Sequence, residues 1–304
     1  MKAVVSKGSG SADKLILSEV EDPIPKDKEL LIKVHAGTVT RGDVALRKIP
    51  VFIVVPMGFL FGFKRMKIPG IEFSGTVEGT GRSVTLFKKG DRVFGTTTGL
   101  EYGANAEYVC IPEKRKSGVV ARKPENLSFE EAAAIPVGGM TALYNLRKAN
   151  VGQGQKVLIY GASGSVGTNA IQLAKHLGAE VVGVCSTRNV DLVKSIGADR
   201  VIDYTKDDFT THGQKYDLIF DAVGRISRSK CRGSLEENGT YRSIRTPTKE
   251  KTEDLIFLKA LAEAGQLRPV MDRQYTLDQV PEAHKYVELR HKRGNVVIRI
   301  VDEG

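Results

Sequence analysis

Gly161, Gly164 and Gly167 recur every third residue between an apolar run, KVLIY, and an amphipathic stretch, TNAIQLAKHLG. The order reads as strand, tight turn, helix. A tight turn there needs glycine, and so does close approach of the main chain to a pyrophosphate. The anion would rest on the amides that open the helix, where the helix dipole favours negative charge. A glycine triplet alone is a weak signal, and a tight turn with no ligand is the alternative. The strand–turn–helix setting, with a second apolar strand EVVGVCS after it, turns the reading towards a dinucleotide.

The end of that second strand separates two dinucleotides. An NAD site places an Asp or Glu there to bind the ribose hydroxyls. This strand ends Cys185-Ser186-Thr187-Arg188-Asn189, and the first acid is Asp191, already in the next helix. A carboxylate repels a 2'-phosphate, whereas hydroxyls and a guanidinium bind it with charge-assisted hydrogen bonds. Ser186, Thr187 and Arg188 are therefore expected to hold the extra phosphate of NADPH, in a pocket free of carboxylates. A plain surface turn is the alternative. Tyr204, ending RVIDY, can add its hydroxyl.

These segments need a scaffold, and 304 residues suit two compact domains. Residues 1–119 alternate apolar and polar positions between turn signals (KLILSEVE, ELLIKVHAG, IEFSGTVEGTG), as half-buried strands do. After Leu127, Ser128 and Glu131 form a capping-box pattern. From Gln155 strands alternate with helices at βαβ rhythm, the mark of a parallel sheet covered on both faces. Residues 120–267 are expected to form this doubly wound unit, with 268–304, ending in GNVVIRIV, returning to the first.

The net charge of +10 is scattered, without a basic stripe interleaved with aromatics, so no nucleic-acid partner is expected. Val51 to Phe63 is the most apolar run, too short and too broken by Pro56 to span a bilayer, and reads as core or pocket wall. The opening MKAVVSKGSG has too few apolar residues for a secretory signal. Cys110, Cys185 and Cys231 lie far apart with no CxxC pair, as in a reducing cytosol, and a cytoplasmic location is expected. The five histidines show no ligand spacing.

KAVV, GDVALRK, PGIEFSGTVEGTG with KKGDRVFG, AEYVCIP, AAAIPVGGMTALYNL, GASGSVGTNAIQLAK, CSTRN, IGADRVIDY and GNVVI follow one another along almost the whole chain. In that order they resemble the medium-chain dehydrogenase/reductase superfamily, in its quinone oxidoreductase or zeta-crystallin-like branch. The resemblance implies an α/β protein: a Rossmann doubly wound parallel sheet plus a GroES-like β-rich catalytic domain, with the active site in the cleft between them. It implies that Ser163, Gly164, Ser165 and Val166 border the pyrophosphate, that Val223 and Gly224 line the adenosine side, and that Thr141 contacts the nicotinamide side. Thr141 is otherwise a helix-interior threonine.

Zinc-dependent members hold the metal with a Cys and a His where this chain has Thr40 and Ile71, side chains that cannot replace a thiolate and an imidazole. No metal is expected. Without a Lewis acid for an alkoxide, acceptors that delocalise charge themselves are favoured, and the resemblance implies NADPH-dependent reduction of a small, hydrophobic quinone or α,β-unsaturated carbonyl. Thr40 and Asp43 would reach the cleft to orient substrate or relay a proton; Asp43 reads equally as a structural cap. A zinc-free aldehyde or ketone reductase on the same scaffold is one alternative. A non-catalytic NADPH-binding sensor, crystallin-like or RNA-binding protein is another.

One stretch departs from the family. After Ile244 the helix near Glu253 follows within about seven residues, where relatives carry a longer connection with a strand that pairs across a homodimer. Either the connection is short, which unsettles the dimer interface and part of the nicotinamide pocket, or a segment is absent from the sequence. Deleting a strand should expose apolar edges, which favours the second.

Overall fold

A computed structural model describes residues 1–50, 67–98, 103–114 and 118–301. The apolar stretch Val51 to Phe63 lies outside the described residues. Five parallel strands form one sheet in the order Arg200–Asp203, Glu180–Cys185, Lys156–Tyr160, Tyr216–Asp221, Leu235–Ser243. Strand alternation sends Val157, Ile159, Leu218 and Phe220 into one apolar cluster and Leu158, Val182, Val184 and Ile219 into another. Each fully buried side chain of this size contributes about 1.5–3 kcal/mol. Helices Pro136–Lys148, Ser165–His176 and Thr252–Glu263 close the first cluster.

A second, seven-stranded sheet runs Met271–Thr276, Asn295–Arg299, Glu29–Thr38, Glu72–Thr80, Arg92–Thr96, Val120–Arg122, with Tyr108–Pro112 pairing off Glu29–Thr38. The C-terminal strand thus hydrogen-bonds antiparallel to the strand that carries Thr38. The expected border at residue 119 falls too early: Val120–Arg122 pairs with Arg92–Thr96, and Phe129 and Ala133 pack with Ala36 and Val297. The chain crosses to the parallel sheet at Pro136. The Ser128 and Glu131 capping box forms, but its helix stops at Ala133, and Pro136 opens a new one at a position where its missing amide costs nothing.

The two sheets meet at the glycine loop. The Gly294 amide donates to the Ser163 carbonyl at 2.8 Å, and Gly164 and Gly294 form an isolated parallel bridge. The short connection after Ile244 is continuous, running from Leu235–Ser243 into Thr252–Glu263. Leu235–Ser243 is the sheet edge, and no strand pairs with its outer side among the described residues. The edge is not apolar: Glu236, Glu237 and Asn238 are its exposed side chains. The exposed greasy edge expected of a deletion is absent because these charges occupy it. No helix among the described residues is long and apolar enough to cross a membrane.

Candidate active site in the interdomain cleft

Two adjoining cavities open at the carboxyl ends of the parallel strands. The outer, of about 410 Å³, is lined by the glycine loop, the end of the second strand, Tyr204 and Thr205, and basic residues from both units. The inner, of about 310 Å³, reaches from the loop to Thr40, Val137 and Thr141. Arg41, Gly164, Val223, Arg290 and Lys292 line both, so they form the neck between them.

The three loop glycines have different reasons. Gly161 has φ of +82°, and a Cβ there would meet Val223 Cγ1 at 2.4 Å. A Cβ on Gly167 would strike the Gly161 carbonyl oxygen at 2.3 Å, so this glycine packs helix on strand inside the fold. A Cβ on Gly164 would find nothing nearer than 3.6 Å. Its φ is ordinary at −82°, so neither strain nor crowding within the chain calls for glycine there. The open space before it is the cavity, at the start of a helix whose free amides and dipole favour an anion. That helix has no side-chain cap and no acid in its first turn.

Beside the loop, Asn189 organises two hydroxyls. Its buried amide donates to Ser163 Oγ at 3.0 Å and to Ser186 Oγ at 3.1 Å, leaving both hydroxyl protons for a ligand in the outer cavity. Thr187 differs from expectation: its hydroxyl donates to Asp203 at 2.5 Å, so it is engaged before any phosphate arrives. Asp203, held below the usual carboxylate range chiefly by that bond, stands behind Thr187 and is not part of the cavity lining. Arg188 lines the cavity, with its guanidinium donating to the His291 carbonyl across the cleft at 2.7 Å. Tyr204 is half-exposed beside Tyr160. Val223 lines both cavities, whereas Gly224 sits behind the wall with its amide on Asp221. Ser165 and Val166 face the inner cavity.

Sequence reasoning missed the cations. Arg41, Arg225, Arg290 and Lys292 join Arg188 on the outer wall, and none of the five makes an ion pair among the described residues. Burial and the charges of Arg290 and Arg225 hold the Arg41 guanidinium below its usual range, as three unneutralised neighbours must. No carboxylate lines this cavity among the described residues. The run Arg290-His291-Lys292-Arg293 before a strand was the available signal.

The inner cavity is built differently. Thr141 reaches it from the helix Pro136–Lys148 and receives the Thr248 hydroxyl at 3.4 Å. Ile244, Thr246, Pro247 and Thr248 wall it, so the short connection closes this pocket itself. Thr96 and Thr98 hydroxyls donate to Glu250, anchoring the connection to the seven-stranded sheet. Thr40 lines the cavity, but Asp43 does not: it is fully buried and accepts from the Thr40 amide and hydroxyl, completing the capping box of helix Arg41–Lys48. Asp43 therefore cannot touch a substrate directly. Burial raises its carboxyl to about 6. Glu72, also buried, is raised to about 7; it accepts from the Thr38 hydroxyl and from the Val137 amide at 2.6 Å.

Two family models match, "Alcohol dehydrogenase GroES-like domain" over residues 26–125 and "Zinc-binding dehydrogenase" over 165–271. The chain is 34% identical to the 2-methylene-furan-3-one reductase of Solanum lycopersicum, covering 98% of this chain and 79% of that protein. It is 32% identical to an NADPH-dependent alkenal/one oxidoreductase of Arabidopsis thaliana over the same shares. The quinone oxidoreductase of Coxiella burnetii superposes with a TM-score of 0.87 at 30% identity, covering 99% of both chains. The chain belongs to the medium-chain dehydrogenase/reductase superfamily, in its quinone oxidoreductase branch. It is an oxidoreductase of the pyridine-nucleotide-dependent kind. The alignment to the tomato reductase runs over 323 positions, more than the 304 residues here, so that relative has residues without counterparts in this chain.

The zinc in one model's description does not fit these residues. Thr40 and Ile71 offer no thiolate or imidazole, both Glu72 oxygens are hydrogen-bonded, and no group of three possible ligands exists among the described residues.

Proposed function

We propose that this protein is an NADPH-dependent, zinc-free reductase of quinones or α,β-unsaturated carbonyls. The observation that carries the choice of NADPH is the outer cavity, which gathers five cations outside any ion pair and no carboxylate among the described residues. A dinucleotide with a 2'-phosphate brings about four negative charges, two more than NAD. Ser186 and Arg188 are the residues for that phosphate, with Tyr204 beside them and Thr187 in a supporting position. Ser163, Gly164 and Val166 would border the pyrophosphate, Val223 the adenosine side and Thr141 the nicotinamide side. When bound, the cofactor supplies hydride.

The chain's own contribution is binding, alignment and exclusion of water from a pocket walled by Val137, Val166, Ile244 and Pro247. The acceptor reading draws on the names of the relatives and on the missing zinc ligands. Initial rates with NADPH and NADH against a quinone, an enone and an aldehyde test it. Turnover of the quinone or enone with NADPH preferred is expected, and turnover of the aldehyde alone overturns the acceptor reading. Arg188→Ala should raise the NADPH Michaelis constant about 10- to 100-fold, as loss of a charge-assisted phosphate contact does, and barely change that for NADH. Equal effects on both refute the phosphate assignment.

A further inference from the structure

We propose that Lys292 is the proton donor to the reduced acceptor, an inference that rests on the reading just given. A reduced enone, having gained hydride at its β-carbon, is an enolate and needs one proton at its α-carbon. The groups lining the inner cavity are few. The hydroxyls of Thr40, Thr141, Ser165, Thr246 and Thr248 hold their protons too tightly, and arginines do not release theirs in proteins. Lys292 is the one titratable acid lining the cavity among the described residues, and it also faces the outer cavity and so the solvent.

Its placement is specific. The ammonium donates to the Gly294 carbonyl at 2.7 Å, which fixes Nζ beside the loop and leaves two N–H bonds free to donate. Charges act on it from each neighbouring element: buried Glu72 on strand Glu72–Thr80, buried Asp43 and exposed Arg41 at the start of helix Arg41–Lys48, and partly buried Asp272 on strand Met271–Thr276. Burial and Arg41 outweigh the three carboxylates and lower its value to about 8. An acid near the working pH is the efficient kind. Two arginines, Arg41 and Arg290, already supply fixed positive charge at the neck, so a lysine adds what they lack, a proton that can leave.

In the step, one Lys292 N–H bond breaks with its electron pair staying on nitrogen, and one C–H bond forms at the enolate α-carbon. The neutral amine regains its proton from water through the outer cavity.

The test uses NADPH and 3-methylpent-3-en-2-one, whose α-carbon becomes a stereocentre on protonation. Wild type should give one enantiomer, with kcat falling on the alkaline side as the ammonium is lost. Lys292→Arg, which keeps the cation, should lower kcat about 100-fold or more and give a mixture of enantiomers, while fluorescence titration shows NADPH affinity within about threefold of wild type. Lys292→Met should give the same loss of kcat and of stereochemistry together with weaker NADPH binding. Carbon-13 lysine NMR of the cofactor-free protein should show one ammonium titrating near 8. Unchanged enantiomeric excess in both variants overturns the proposal. So does full rescue by Lys292→Arg with NADPH binding lost in Lys292→Met, which makes Lys292 a phosphate cation. A wild type that reduces no enone or quinone with NADPH overturns the underlying reading instead.

Discussion

The outer and inner cavities share a neck but are made by different means. The outer is a concentration of charge and free hydroxyls, set largely by two short segments, 161–167 and 186–189, at adjacent strand ends. The inner is nearly neutral beyond its neck, and its walls come from Thr40, Val137, Thr141 and the connection 244–248, which are far apart in sequence. Anion recognition can be written locally, because one βα turn presents amides, a helix dipole and a hydroxyl together. The shape of the inner cavity depends on how two sheets are docked.

The largest effect should separate fold from ligand within the loop itself. Gly167→Ala forces a Cβ into the Gly161 carbonyl and should cost several kcal/mol, read as a large drop in Tm. Gly164→Val meets no such obstacle and should leave Tm within a few degrees while weakening NADPH binding about 100-fold, near 2.7 kcal/mol. If Gly164→Val binds NADPH normally, the neck does not receive the pyrophosphate.

Next in size is the buried acid beneath the inner cavity. The Glu72 carboxyl, raised to about 7 by burial, stabilises the fold below its ordinary value of 4.5, and that contribution is lost as pH climbs through about 7. Denaturant titrations of Glu72→Gln against wild type from pH 4.5 to 8 should therefore shift in the variant's favour, by up to about 3 kcal/mol. A constant difference would mean that Glu72 is already ionised at the low end.

The smallest effect probes Thr40. As a cap, Thr40→Ala should cost about 1 kcal/mol and lower Tm by about 2–4 °C with enone kinetics unchanged. A fall in kcat/KM at constant Tm would transfer Thr40 from the scaffold to the chemistry.

The same contrast explains what the sequence made legible. The parallel sheet, its glycine turn and the hydroxyl–arginine strand end were readable because each is encoded within a few residues. Asn189 stood in that segment, but its role needed the fold to bring Ser163 and Ser186 to one amide. Asp203 could not be foreseen behind Thr187, since strand register alone sets them side by side. Thr40 and Asp43 have capping-box spacing, and the cap is what the structure contains. Arg41, Arg225, Arg290 and Lys292 come from three separate segments, and only tertiary docking makes them neighbours. The short connection looked like a loss, yet its residues rebuild the pocket wall, and Glu236 and Glu237 occupy the edge it leaves.

The backbone joint between Ser163 and Gly294 carries a consequence for biosynthesis. The loop leaves the ribosome some 130 residues before the strand that seats it, a separation read directly from the two positions joined. Until Gly294 has been made and docked, the nascent chain has every glycine of the loop but not the bond that ties the loop to the other sheet. The loop thus reaches its final setting only after both domains have been largely synthesised.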